Sequence, residues 1–415
     1  MLSWVVTLSR VFALRNSVSM RLAIPRRLAA YYFIDSLITS IPWNVYAPYL
    51  KMLGITPLEY GLLGAIRAGC GALATFIGGA LADRYRAFNA IALSFALFAA
   101  GLLMISAGTI PLLYAGVTVL GLSQFSGLVL RVAISRVFRE EEYEKVYSQI
   151  FSLSLAGEGV GAFTGWLPYL APQIFHVTLF DSYRATLAIC AIASIATLPL
   201  LYIPQIREAR GGTQRLSFSV DRATARAVWK LVIVRSALAL GAFMAIRNVD
   251  YYLVLKFNVQ SNALGTLRGV EMLAIAALTT LTPRVKRVMG SSIKAYVAIS
   301  SGNVPLMIFL TLAPNFPLAA SIYVARTVLA NIGSPLLTSF TMRYIPQEYR
   351  GRGLSLMRLA LTGVGVAGRA IGGELMDMDL DLPFRVAAAL YAASYAAMLA
   401  IWGREEKKLE ARKAA

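Results

Sequence analysis

The chain has 415 residues, of which 58% are hydrophobic and only 15% charged, with a mean hydropathy of +0.63. A soluble domain carries about 25% charged residues, so an ordinary soluble fold is excluded and a lipid solvent is indicated. The net charge of +19 would suit nucleic acid, but the basic residues stand in short clusters between apolar runs, so no nucleic-acid partner is expected.

Residues 1–27 read MLSWVVTLSRVFALRNSVSMRLAIPRR. The apolar part contains Arg10, is too short to span, and lacks the small-residue cleavage site of a signal peptide. It reads either as an amphipathic helix in the membrane interface or, if translation starts at Met20, as dispensable. A span needs roughly 20 mostly apolar residues, and twelve such runs follow. They lie at about 28–51, 58–81, 88–108, 111–136, 147–170, 184–204, 230–256, 263–283, 294–312, 317–340, 353–375 and 384–402. The longest connection, PQIREARGGTQRLSFSVDRATARAVWK (204–230), is polar and basic. The predicted organisation is a tail (1–27), a six-helix bundle (28–204), a central loop (205–229), a second six-helix bundle (230–402) and a C-terminal tail (403–415). The expected fold class is an all-α membrane protein of twelve transmembrane helices in two pseudo-symmetric halves.

Lysine and arginine set orientation. On one side the connections hold only Lys51, Arg184, Lys256 and Arg385; most of the 40 basic residues fall on the other side, with both tails. Both termini are therefore expected in the cytoplasm of a multi-pass cell-membrane protein, where basic residues also suit contact with anionic lipid headgroups. The halves repeat at an offset of 206. EYEKVYSQIFSLSLAGEGV (142–160) aligns with EYRGRGLSLMRLALTGVGV (348–366), matching Glu142 with Glu348, Tyr143 with Tyr349, Gly157 with Gly363 and Gly159 with Gly365. Two parallel six-helix halves with a site between them are a transporter arrangement.

The link after the second run, Gly79-Ala80-Leu81-Ala82-Asp83-Arg84-Tyr85-Arg86, resembles the loop signature Gly-x-Leu-x-Asp-Arg-x-Gly-Arg of the major facilitator superfamily. Gly79, Leu81, Asp83 and Arg84 match; Arg86 stands at the second glycine. In the second half the equivalent LTPRVKR (281–287) has Pro283 in place of the aspartate. The resemblance implies the major facilitator fold and a cytoplasmic gate. In it Asp83 meets the positive start of the eleventh helix at Gly351-Arg352-Gly353, and Arg84 and Arg86 reach Glu140, Glu141 and Glu142. The fifth run, GEGVGAFTGW (157–166), keeps only the glycines of the proton-antiporter pattern.

Ionisable residues inside a membrane normally face a cavity or a partner, because each costs about 2.5–3.5 kcal/mol on insertion scales. The candidates for substrate binding or coupling are Asp35, Asn44, Arg67, Arg131, Glu158, Arg247, Asp250, Glu271, Arg326 and Arg369. Pro42 is expected to break the first helix beside Asp35. Arg247–Asp250 and Arg268–Glu271 are each three apart, and the spacing allows internal pairing. The remaining surplus of arginine points to a small polar or anionic organic solute held by arginine forks, with Glu158 or Asp35 carrying a coupling proton. Drug efflux by proton antiport, a ligand sensor without transport, and a membrane transferase are the alternatives. The last would need paired aspartates on Mg²⁺, and the DMDLD run (377–381) has the spacing of a solvated loop. Cys70 and Cys190 lie in apolar runs and His176 is the only histidine, so neither a metal nor a cofactor is expected. Enzymatic activity is not expected, and a monomer with a small solute, a coupling ion and membrane lipids as its partners is.

Overall fold

The computed structural model describes residues 24–84, 86–203, 221–278 and 291–403. The expectations for residues 1–23, the central loop 204–220, the LTPRVKR stretch and the end of the C-terminal tail fall outside them. The first three spans are the helices Arg26–Met52, Pro57–Arg84 and Ala87–Ser106. The fourth joins Ile110–Leu122 to Ser126–Val137 through a 3₁₀ turn. The fifth is Tyr143–Phe163 followed by the shorter Trp166–Phe175, and the sixth is Leu179–Ala196 with a 3₁₀ end. In the second half the seventh span is Arg222–Met244, a 3₁₀ turn and Val249–Phe257; the eighth is Ser261–Leu278. The ninth is Ser292–Ser300 with Asn303–Thr311, and the last three are Phe316–Tyr344, Arg350–Met378 and Leu382–Trp402.

Eight of the twelve are long and apolar enough to cross a membrane by length and composition alone. The first, second, fifth and eighth each supply side chains to the cavity described below. Large apolar side chains such as Leu73, Phe151, Leu167, Ile189, Ile233 and Leu273 lie exposed on the outside, which suits a surface solvated by lipid.

The first helix is not broken at Pro42. It runs unbroken from Arg26 to Met52 with Pro42 and Pro48 inside; a proline removes one backbone donor, and packed neighbours and local adjustment absorb that loss in a membrane helix. The breaks fall elsewhere. At the end of Tyr143–Phe163 the Gly161 and Ala162 carbonyls accept the backbone N–H groups of Thr164 and Gly165 at 3.2 and 3.1 Å. The Asn44 amide, itself 2% exposed, crosses from the first span to add a second donor to each, at 3.1 Å to Gly161 and 3.0 Å to Ala162. In the seventh span Asn248 donates back to the Met244 carbonyl at 3.1 Å across the 3₁₀ turn Ile246–Asn248.

An even number of spans returns both ends of the chain to one face, here termed the terminal face. Hydrogen bonds between the halves among the described residues gather at the opposite, far face. Lys51 donates to the Val254 carbonyl (3.2 Å) and Asn258 Oδ1 (2.7 Å), and the Leu58 N–H to Asp377 Oδ2 (3.1 Å). The Tyr251 hydroxyl donates to the Ile55 carbonyl. Ser261 Oγ donates to the Gly165 carbonyl (2.8 Å), and Trp166 Nε1 to Thr266 Oγ1 (3.0 Å). The apolar core follows the same division. One cluster runs continuously from Val45 and Leu63 in the first half to Tyr251 and Trp402 in the second, while the terminal-face end of the first half packs around a separate cluster containing Leu28, Ile91 and Ile134.

Candidate functional site

Between the halves lies a cavity of about 530 Å³. The helix breaks aim its polar walls. Asp250 stands in the first turn of Val249–Phe257, where a carboxylate is favoured by the helix dipole, and Arg268 rises opposite it from the eighth span. Arg268 Nη2 donates to Asp250 Oδ1 at 2.6 Å and Nη1 to Glu271 Oε2 at 2.7 Å. Its Nη1 also lies 3.2 Å from the Tyr323 hydroxyl. One guanidinium thus pairs with two carboxylates from two spans. The expected pair Arg268–Glu271 is present, but Arg247–Asp250 is not. The 3₁₀ turn at Ile246–Asn248 destroys the helical register between positions 247 and 250, so Asp250 pairs with Arg268, while Arg247 sits exposed with its guanidinium 5.8 Å from the Phe243 ring centroid.

The opposite wall is cationic and aromatic. The Arg67 guanidinium stacks on Trp43 at 3.8 Å from the ring centroid, a short cation–π contact. Arg369 enters from the eleventh span and lies against Gly64, where a side chain would meet its guanidinium and Cδ and displace them. The Nε atoms of Arg67 and Arg369 are buried with no hydrogen-bond partner. Arg67, Arg247 and Arg369 lie within electrostatic reach of one another, and none of them forms an ion pair with a carboxylate among the described residues. Glu158 faces the same cavity, beside Arg268 and Glu271, and also has no ion partner among them. The described lining contains Arg67, Arg247, Arg268, Arg326 and Arg369 against Glu158, Asp250 and Glu271. That is five cations against three carboxylates, a surplus of two positive charges when all are ionised.

Of the ten sequence candidates, Asn44, Arg67, Glu158, Arg247, Asp250, Glu271, Arg326 and Arg369 line this cavity. Asp35 and Arg131 do not. Asp35 lies nearer the terminal face with Tyr31 and Tyr32, and Arg131 is exposed, its carbonyl accepting from the Tyr147 hydroxyl at 3.3 Å. Asn44 lines the wall with its amide nitrogen already committed to the fifth-span break. Sequence reasoning missed the aromatic lining, Trp43, Tyr46, Tyr60 and Tyr323, and set Arg268 aside as merely paired. The available signal was tyrosine in the middle of an apolar run, where a hydroxyl needs a partner.

For the gate residues Gly79, Leu81, Asp83, Arg84 and Gly351, only the helical backbone is described, so the expected contact of Asp83 falls outside the described side chains. Arg86 is exposed, and Glu142 accepts from the backbone N–H of Arg139 at 3.1 Å. No ion pair joins Arg86 to Glu142 among the described residues, and Arg352 is exposed.

The sequence profile of the Major Facilitator Superfamily matches residues 28–369. Among solved structures, the nucleoside transporter NupG is similar with a TM-score of 0.71 at 13% identity, covering 91% of this chain and 98% of that one. A bacterial homologue of the iron transporter ferroportin in an inward-facing state gives 0.71 at 13% identity over 90% and 97%. An auto-inhibited POT family peptide transporter gives 0.69 at 12% over 90% and 96%. Among curated proteins none matches the sequence. At such identities the likeness establishes the fold, twelve helices in two six-helix halves, and leaves the solute to the cavity itself.

Proposed function

The chain belongs to the major facilitator superfamily, and on that footing we propose that this transporter carries a small anionic organic solute across the cytoplasmic membrane by alternating access. The observation behind this reading is the cationic wall, where Arg67, Arg247 and Arg369 converge on one cavity without carboxylate partners among the described residues. Guanidinium groups bind carboxylate or phosphate oxygens in bidentate fashion, and a cavity sealed from water at one end strengthens that attraction. Trp43, Tyr46 and Tyr60 offer flat apolar surfaces for the organic part of the solute. The terminal face, where most lysines and arginines of the loops fall, is assigned to the cytoplasm, so the described state opens inward. Glu158, the carboxylate of the cavity without an ion partner, is the coupling residue in this reading, taking up and releasing a proton as the cavity changes sides.

The test is counterflow of labelled organic anions into proteoliposomes, with and without a pH gradient. Arg67→Gln and Arg369→Gln are expected to weaken apparent affinity roughly tenfold or more, since a hydrogen bond to a charged group is worth about 1.5–3 kcal/mol. Glu158→Gln is expected to retain counterflow and lose acceleration by the gradient. Counterflow of cations or neutral solutes alone would overturn the anion reading, and an undiminished response to the gradient in Glu158→Gln would remove its coupling role.

A further inference from the structure

Behind the central cavity, inside the second half, is a separate chamber of about 210 Å³, far more than the roughly 10–15 Å³ that one water needs. Arg235 of the seventh span and Arg326 of the tenth both line it, with Tyr296, Tyr391, Tyr395 and Ser300 around them. Arg326 is only 7% exposed. One of its terminal nitrogens donates to the Tyr391 hydroxyl at 3.0 Å, and its Nε is buried with no partner. Arg235 has neutral partners, Thr341 Oγ1 at 3.4 Å and Met357 Sδ at 3.7 Å. Among the described residues no carboxylate lines the chamber, and neither guanidinium forms an ion pair. Ser300 Oγ and Asn303 Oδ1, each in a residue 1% exposed, are also buried without a partner.

Two guanidinium groups inside a transmembrane bundle require a counter-charge or a polar occupant, and the described lining of this chamber supplies no acid. We propose that this chamber is a binding site for a small inorganic monovalent anion of the chloride class, distinct from the central cavity. The two guanidinium groups and the tyrosine hydroxyls face the ion, while a water of its shell donates to Asn303 Oδ1. Because the polar lining comes from the seventh, ninth, tenth and twelfth spans, the bound anion ties these four helices together. Arg326 forms a shared wall with the central cavity, so occupancy of the chamber fixes the position of a residue that also faces the solute.

The experiment is binding of ³⁶Cl⁻ to the purified full-length protein in nanodiscs by scintillation proximity, with gluconate replacing chloride at constant ionic strength. One saturable site is expected, displaced by bromide. Arg235→Gln should weaken it at least tenfold, Tyr296→Phe severalfold, and Arg235→Lys less than Arg235→Gln. Arg67→Gln, which alters only the central cavity, should leave it unchanged. Absence of saturable binding to the unaltered protein overturns the proposal, because the chamber then holds water alone. Loss of binding in Arg67→Gln with retention in Arg235→Gln overturns it too, by placing the ion in the central cavity. Should Arg235→Gln fail to fold, Tyr296→Phe decides: unchanged affinity in that variant overturns the site.

Discussion

Arg268 stands between Asp250 at 2.6 Å and Glu271 at 2.7 Å, and Glu271 is only 4% exposed. Removing the arginine leaves two acids unpaired, Glu271 among them buried, whereas neutralising one acid leaves the guanidinium its other partner. Breaking a buried pair from one side typically costs about 3–5 kcal/mol. Arg268→Met is therefore expected to lower the thermal midpoint in detergent more than Asp250→Asn does, and equal midpoints would show that the triad is solvated. Much of the cavity wall was legible at this scale, because an arginine or glutamate in an apolar run has few places to go except a cavity. The exceptions have physical causes. Arg131 sits close enough to a helix end to reach the surface, and Asp35 faces the tyrosines of its own helix instead of the gap between the halves. Their depth and facing depend on neighbouring helices, which spacing along one chain does not report.

Helix breaks determine what each span presents. The 206-residue repeat pairs the fifth span with the eleventh, yet the fifth breaks after Phe163 while the eleventh runs unbroken to Met378. At the break the Asn44 amide of the first span donates to the Gly161 and Ala162 carbonyls, a contact from another helix on which the repeat alone was silent. The far-face contact of the second and eleventh spans is also an end effect. Asp377, in the last turn of the eleventh span, accepts from the Leu58 N–H in the first turn of the second, as a capping carboxylate does. Asp377→Ala is expected to remove about 0.5–2 kcal/mol of far-face closure. Severalfold faster labelling of a cysteine placed at Ser40, by an impermeant maleimide added from the far face, would report it. An unchanged rate would mean that the contact has no part in closure.

Across the whole molecule, the two halves join at the far face through an apolar core that continues through the second half, and they enclose charge between them. Alternating access requires this packing to separate in each cycle. Lys51 and Asn258, 2.7 Å apart between their side-chain polar atoms, offer a direct check. Cysteines at both positions in a background without Cys70 and Cys190, joined by a short cleavable cross-linker, are expected to reduce transport to background. Reduction of the linker should restore it. Continued transport with the link in place would show that the far face does not need to open.

By itself the sequence determined the solvent, the number of spans, the division into halves and most of the charges that face the interior. Each of these follows from the cost of putting polar atoms into lipid, which every residue carries wherever its neighbours lie. Only the tertiary structure decided which acid each arginine neutralises, which spans break, and which end of the molecule is shut. Those outcomes depend on ångström-scale distances between helices far apart in sequence, where one guanidinium chooses among several partners.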